Sequence, residues 1–335
     1  MQIKHFIGID VSKDTLDLSI VMDGKNLQHY CIKNNAKEIK SAINKIMNAL
    51  VATDNDTVFC MEHTGLYNLP LVKWLNSQQY KIWLESGVHI RKTLGLVRGK
   101  NDKVDSARIA MFAYTNRHQI RLWKTPRKVI EKIAALLSQR ARMIKAKKQL
   151  NTANQEQRKF MDKDIMRSLN KYTYKAVIVI GNQIEAIEKE ILELIKEDEK
   201  LNHMYQLITS VNGIGFITAS YVLVTTNEFI NINNPKKYAC YSGVVPFEHT
   251  SGTSIRGKNR VSQMANKNIK TLLHMAALTT VKMKGDMQEY YIRKVAEGKN
   301  KMSVLNAIRN KLILRIFACV NQNRQYEKNY YYKFG

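Results

Sequence analysis

Residues 127–200 contain no proline and a single glycine, Gly181. So long a run with so few breakers cannot be divided among strands and turns, and it must be helical. Ile130, Ile133, Leu137 and Ile144 recur at helical spacing, and Ile184, Ile187, Ile191 and Leu194 form a second stripe. Two such stripes predict two long helices, paired as an antiparallel hairpin or as an intermolecular coil. Thr125-Pro126 breaks the chain just ahead of them. What lies before and after this helical run must therefore bury cores of its own.

The stretch before the break reads as mixed α/β. HFIGID, LDLSIVMDG and LQHYCIK are strand signals, with Asp23-Gly24 marking a hairpin turn. Ile39, Ile43, Ile46, Met47 and Leu50 then recur at helical spacing, TVFCME is a strand, residues 67–78 a helix and YKIWLE a strand. Helical crossovers favour parallel pairing of the later strands. Val104, Ile109, Phe112 and Ala113 share one face of a further helix from Asp102.

Beyond the long helices, SVNGIGFITASYVL sets a Gly-x-Gly turn between apolar segments. It resembles the hairpin of a helix-hairpin-helix, whose backbone N–H groups can meet a phosphate; a plain interhelical turn is the alternative. Residues 238–263 are rich in Ser, Gly and Thr, a helix spans 266–282, and Val304, Leu305, Ile308, Leu312 and Ile316 mark a basic amphipathic helix near the end. The second half is thus expected to be mostly helical.

The 54 Lys and Arg against 28 Asp and Glu leave a net charge of +26. Self-repulsion of that size is usually relieved by a polyanion, and each phosphate neutralised releases a counterion. RKVIEK…QRARMIKAKKQ concentrates the charge on the helical run, as a nucleic-acid contact or a solvated face. No apolar run approaches the roughly 20 residues of a spanning helix, which argues against a membrane partner. MQIKHFIGID has neither the apolar core nor the cleavage site of a signal peptide. Cys31, Cys60, Cys240 and Cys319 form no CxxC pair, so a zinc site or disulfide framework is not expected and a cytoplasmic setting is.

Four acids stand out in this basic chain. Asp10 follows the first apolar strand, and Glu62 ends the TVFCME strand. Either alone reads as a turn or helix-entry residue. Two acids at the carboxyl ends of two core strands mark the crevice where an open sheet binds ligands. Asp102 and Asp105, in KNDKVDSARIA, are three apart and face the same way on a helix, where acids in a first turn also stabilise the dipole. Arg98, Lys100, Lys103 and Arg108 surround them with phosphate-binding charge. Four carboxylates suit two Mg²⁺ ions about 4 Å apart, with Mn²⁺ a substitute, and oxygen ligands select hard cations over zinc. The chemistry so indicated is phosphoryl transfer on a nucleic acid.

At this point the chain resembles the DEDD transposases of the insertion-sequence one-ten family (Piv/MooV-type recombinases). GIDVSK around Asp10, MEHTG around Glu62 and KNDKVDSARIA around Asp102 and Asp105 carry the likeness, with VNGIGFITA and YSGVVPFEHTSGTSIRGKNRVSQMANKNIKTLL in the second half. The resemblance implies three parts: a RuvC-like (RNase H-fold) mixed-sheet domain over 1–122, a helical coiled-coil linker used in oligomerisation over 123–203, and a transposase domain over 204–335. It implies excision and insertion of an element in DNA, guided by a structured RNA that the element encodes. RVSQMANK departs from the family pattern, with Ala265 in place of a glycine.

The resemblance also implies a serine nucleophile that forms a covalent link to DNA. The stretch offers Ser242, Ser251 and Ser254; Ser251, in the Ser-Gly after GVVPFEHT, matches the family position and Ser242 is the runner-up. Arg256, Lys258 and Arg260 follow closely enough to clamp phosphates. His63 and His249 read as turn or packing residues before bases. Joining a donor and a target DNA requires a homo-oligomer, a dimer or a tetramer. The alternatives are a RuvC-like junction resolvase or nuclease without serine chemistry, and a non-catalytic nucleic-acid-binding protein.

Overall fold

The computed structural model describes residues 3–63, 65–93, 101–251, 255–261 and 265–327, with 247–251 and 255–260 described by backbone alone. The chain forms two compact units, divided between Thr125 and Pro126.

In the first unit, β1 (His5–Val11), β2 (Thr15–Met22) and β3 (Lys25–Lys33) form an antiparallel meander. Asp23 and Gly24 turn between β2 and β3 with positive φ (49° and 76°), the geometry that a tight hairpin asks of an Asp-Gly pair. After α1 (Ala36–Leu50) come β4 (Thr57–Glu62), α2 (Leu69–Ser77) and β5 (Lys81–Glu85). β4 pairs parallel to β1 and β5 parallel to β4, giving the order β3-β2-β1-β4-β5. That order, three antiparallel strands followed by two parallel ones, is the RNase H-type arrangement that the resemblance implies.

Strand alternation assigns each residue to a layer. Ile7, Ile9, Leu16, Leu18, Ile20, Phe59, Met61 and Ile82 face α1 and α2. Phe6, Val21, Val58, Cys60 and Trp83 face the opposite layer, formed by α3 (Gly87–Thr93) and α4 (Asp102–Thr115). α4 begins at Asn101, whose side chain accepts from the Val104 N–H at 2.8 Å. It lies on β1 at backbone distance: a Cβ on Gly8 would stand 2.1 Å from the Ala110 nitrogen and 2.4 Å from the Ser106 carbonyl oxygen. The Ser106 hydroxyl donates to the Lys103 carbonyl, so Ser19 of β2 donates to Ser106 across 2.8 Å of buried interface.

The second unit is built on α5 (Lys128–Gln157) and α6 (Lys163–Glu197), which pair with each other as a hairpin, one of the two arrangements expected. α7 (Glu199–Thr209), α8 (Phe216–Thr226), α9 (Pro235–Tyr241), α10 (Lys267–Lys282), α11 (Asp286–Ala296) and α12 (Lys301–Asn321) complete it. The Gly-x-Gly segment is a turn between α7 and α8, with Gly213 at φ 87°. Ile130, Ile133 and Leu137 join Ile191, Ile195, Leu273, Ile308, Leu312 and Ile316 in one core. Arg127 bridges Asp198 at 2.6 Å and the fully buried Glu228 at 2.7 Å, tying the start of α5 to both ends of the α7–α8 pair. The expectation of a mostly helical second half omitted one feature. β6 (Pro246–Ser251) and β7 (Ile255–Val261) form an antiparallel hairpin between α9 and α10. Among the described residues no helix is long and apolar enough to cross a membrane.

A methyl at position 8 collides with the α4 backbone at Ser106 and Ala110 and cannot be relieved by a rotamer change. Gly8→Ala is expected to destabilise the protein by about 3 kcal/mol or more, read as a lower urea midpoint. A midpoint within experimental error of wild type would mean that α4 does not depend on this contact.

Candidate active site

Positions 6, 8 and 10 of β1 alternate toward α4, so Asp10 leaves the strand on the same face as Gly8. β4 runs parallel with Ile9 opposite Met61, and one step further sets Glu62 beside Asp10. The α4 backbone rests on Gly8, and its first turn, with Asp102 and Asp105, lies toward the same end of β1. Four acids from three elements thus meet at the carboxyl ends of the two central strands.

Their electrostatics register the meeting. Burial, and then the charges of Asp102, Asp105, Glu62 and Asp17, push the Asp10 carboxyl up from the ordinary 3.8 to about 6. Among the described residues Asp10 has no hydrogen-bonded side-chain partner and no counter-cation. Glu62 lies against the first residue of α3: a Cβ on Gly87 would stand 2.2 Å from its Oε2. The absence of a side chain there is what lets the carboxylate occupy its place. Asp105 is bridged by Arg108 at 2.7 Å, so this arginine serves the acids before any phosphate. Lys103 is exposed on the same turn, whereas Arg98 and Lys100 lie outside the described residues.

Two further acids share the face, and the sequence reading passed over both. Asp17 of β2 pairs in register with Asp10; it is buried and accepts from His29 Nε2 at 2.7 Å. Glu85 ends β5 opposite Glu62 and meets His89 Nδ1 at 3.3 Å. Their signal was available: each is an acid at an inward position of an alternating strand, where an apolar residue is usual. The His63 ring stands edge-on to Trp123, 6.1 Å between centroids, as a packing residue does.

A divalent cation fits this donor set. All its members are hard oxygen donors, and Asp10 shows the cost of holding them together uncompensated. Among the described residues no three His, Cys, Asp or Glu side chains are gathered tightly enough to enclose one ion. Asp10, Glu62, Asp102 and Asp105 are the residues that would hold the cation.

In the second unit, Ser242 caps the end of α9. It is fully buried, and its hydroxyl donates to the Ala239 carbonyl at 3.2 Å. Ser251 is the last residue of β6, paired with Ile255, and Arg256, Lys258 and Arg260 occupy alternate positions of β7; their side chains, and that of His249, lie outside the description, as does Ser254.

Two sequence families match the chain. A DEDD transposase profile of the IS110 type covers residues 7–157, and one described as "Transposase IS116/IS110/IS902 family" covers residues 205–292. The "Pilin gene-inverting protein" of Moraxella bovis is 26% identical over 329 residues, covering 97% of this chain and 98% of that protein. The "Transposase for insertion sequence element IS1111A" of Coxiella burnetii is 27% identical over 150 residues, or 43% of this chain and 40% of that one. Among solved structures, T. thermophilus RuvC in complex with Holliday junction substrate aligns at 11% identity and a TM-score of 0.29, covering 36% of this chain and 99% of RuvC.

Two outcomes follow from the geometry. A carboxyl whose native pKa is raised contributes its full share of stability below pH 3.8, and that share is lost as pH climbs through about 6. In chelator at pH 7, Asp10→Asn should therefore melt a few degrees above wild type, with the gap closing by pH 4. Melting below wild type at pH 7 would show Asp10 to be a stabilising partner instead. Gly87→Ala should leave melting nearly unchanged, because the flexible Glu62 head can move, and lower strand cleavage by roughly 10²-fold. Unchanged cleavage would place Glu62 outside the chemistry.

Proposed function

The chain belongs to the IS110-type DEDD transposases, and from that premise we propose that it cuts and rejoins DNA through a covalent seryl–DNA intermediate with Mg²⁺ as its divalent cation. The family is one of enzymes that act on DNA. The observation that carries the finer reading is the convergence of Asp10, Glu62, Asp102 and Asp105, with Asp10 lifted by burial and by its neighbours. Acids gathered at one end of a sheet, among them an Asp10 with no counter-cation among the described residues, suit hard metal ions. When bound, the cation supplies charge neutralisation at phosphorus and lowers the pKa of an attacking hydroxyl.

Ser251 is the nucleophile in this reading. Its Oγ bonds to phosphorus, one strand hydroxyl leaves with the proton that the serine gives up, and the phosphodiester passes to the protein. Attack by a second strand hydroxyl reverses the exchange, so each bond broken is replaced by one of the same kind. The burial of Ser242, with its hydroxyl committed to Ala239, favours Ser251 over it. Arg256, Lys258 and Arg260 on the adjoining strand are suited to clamping phosphates, as are Arg98, Lys100 and Lys103 beside the acids; Arg108 acts through Asp105.

The division of labour proposed is a catalytic domain over 1–122, a helical linker over 123–203 that assembles a dimer or tetramer, and a transposase domain over 204–335. The work is done in the cytoplasm, on a donor and a target DNA, with a structured RNA of the element choosing the sites. The Moraxella relative, named for inverting a gene, supports a recombinase rather than a simple nuclease.

The test is an adduct assay on the full chain with the element's flanking DNA and RNA, in Mg²⁺ and then in chelator. Denaturant-resistant protein–DNA complex is expected from wild type and Ser242→Ala, and none from Ser251→Ala, Asp10→Asn or chelated samples. Cleavage without an adduct in any variant would replace the serine mechanism with hydrolysis by a metal-dependent nuclease.

A further inference from the structure

Arg309 of α12 is a buried cation without an acid. Only 6% of it is exposed, and it takes part in no salt bridge among the described residues. One guanidinium nitrogen meets His274 Nδ1 of α10 at 2.7 Å and another reaches Asn306 Oδ1 at a long 3.4 Å. Its Nε is buried with no partner. Burial, and then the nearby guanidinium, lower the His274 pKa, so the imidazole is a neutral acceptor and offers no negative charge. α9 (PKKYACY), α10 (KNIKTLLHMAALTTVK) and α12 (KMSVLNAIRNKLILRIFACVN) contain lysines and arginines and not one Asp or Glu. α11 (DMQEYYIRKVA), packed against both α10 and α12, carries Asp286 and Glu289, and Asp286 is committed to Arg315. A native protein rarely leaves a buried charge uncompensated, and each such group calls for a reason.

Its position supplies one. Asn306, which orients Arg309, also donates to the Val244 carbonyl at 2.6 Å, just before β6 begins. On the other side of the β6–β7 hairpin, Asn266 caps α10 and donates to the Tyr241 hydroxyl at 2.8 Å and to the Tyr241 carbonyl at 2.9 Å. The chain entering the hairpin is therefore tied to the residue that orients Arg309, and the chain leaving it returns to the end of α9.

We propose that Arg309 receives a backbone phosphate of the DNA that the β6–β7 hairpin engages, with His274 and Asn306 orienting its guanidinium. The proposal rests on the reading of the chain as an enzyme acting on DNA, and it adds a contact at the foot of the hairpin to that reading. An oxyanion that reaches Nε displaces no existing hydrogen bond and supplies the missing charge. Guanidinium is the group whose fork geometry suits a phosphate. Three neighbouring helices without an acid, α9, α10 and α12, favour a strand of phosphates over an acidic protein partner.

The test compares wild type, Arg309→Met and Arg309→Lys as full chains. Melting is followed in chloride buffer with and without inorganic phosphate, and affinity for a short DNA duplex is measured across salt concentrations. Phosphate should raise the melting temperature of wild type, less that of Arg309→Lys, and not that of Arg309→Met. In chloride alone Arg309→Met should melt at or above wild type, since an uncompensated charge has been replaced by an apolar side chain. Its DNA affinity should fall by about tenfold, with a salt slope shallower by about one. Misfolding or a lower melting point of Arg309→Met in chloride would make Arg309 a structural cation and overturn the proposal. Equal phosphate protection of wild type and Arg309→Met would overturn it too, as would an unchanged salt slope, which would reduce the site to one for free phosphate. Loss of the seryl adduct chemistry, by contrast, leaves all these readouts intact, so the two readings fail separately.

Discussion

Helix α4 lies on strand β1 closely enough that backbone touches backbone, and a glycine at position 8 is what allows it. The acids depend on that distance. Asp10 belongs to the strand, Asp102 and Asp105 to the helix, and no covalent feature brings them together. With α4 held off by the width of a methyl group, its first turn would ride higher over the sheet and the field at Asp10 would weaken. The buried hydroxyl pair Ser19–Ser106 fixes the helix along a second strand. Gly87 repeats the device on the other side, leaving room at the start of α3 for the Glu62 carboxylate. Close approaches built from glycine and serine hold together charges that would otherwise separate.

Much of this was legible in the sequence, because strands and helices announce themselves by period. GIDVSK, TVFCME and KNDKVDSARIA each end or begin an element at the acid in question, and the first unit has the strands and helices that those periods predict. The proline-free run became α5 and α6 for the same reason. What stayed hidden depended on pairing between distant segments. PFEHTS and IRGKNRV show no clean alternation and carry a proline or a glycine, so neither reads as a strand until the other lies beside it. Asp17 and Glu85 stand at inward positions of alternating strands, but only the sheet order sets them next to Asp10 and Glu62. Arg309 stands in an amphipathic helix where a basic residue is unexceptional, and its burial follows from how α10 and α12 meet.

The treatment of charge inside each unit is uneven, and the unevenness separates framework from function. In the first unit, Asp17 and Asp10 face each other across two paired strands. Asp17 is buried yet satisfied, with a histidine on one oxygen and a thiol near the other. Asp10 is less buried, has no such partners among the described residues, and holds its proton to about pH 6. In the second unit, Arg127 has two carboxylates, one of them fully buried, and ties three helices together. Arg309 is more deeply buried and is given a neutral imidazole and an amide.

A fold that needed only stability would treat both members of each pair alike. A buried ion without its counter-ion costs several kcal/mol on the order-of-magnitude scale for such groups, and replacing it with an apolar residue removes that cost. Asp10 and Arg309 are charged groups withdrawn from solvent with no counter-ion among the described residues, and they differ in sign. An unsatisfied carboxylate among carboxylates is relieved by a cation, and an unsatisfied guanidinium among lysines by an oxyanion. In the reading proposed, each unit is left short of what DNA and metal would supply, and binding would complete its electrostatics.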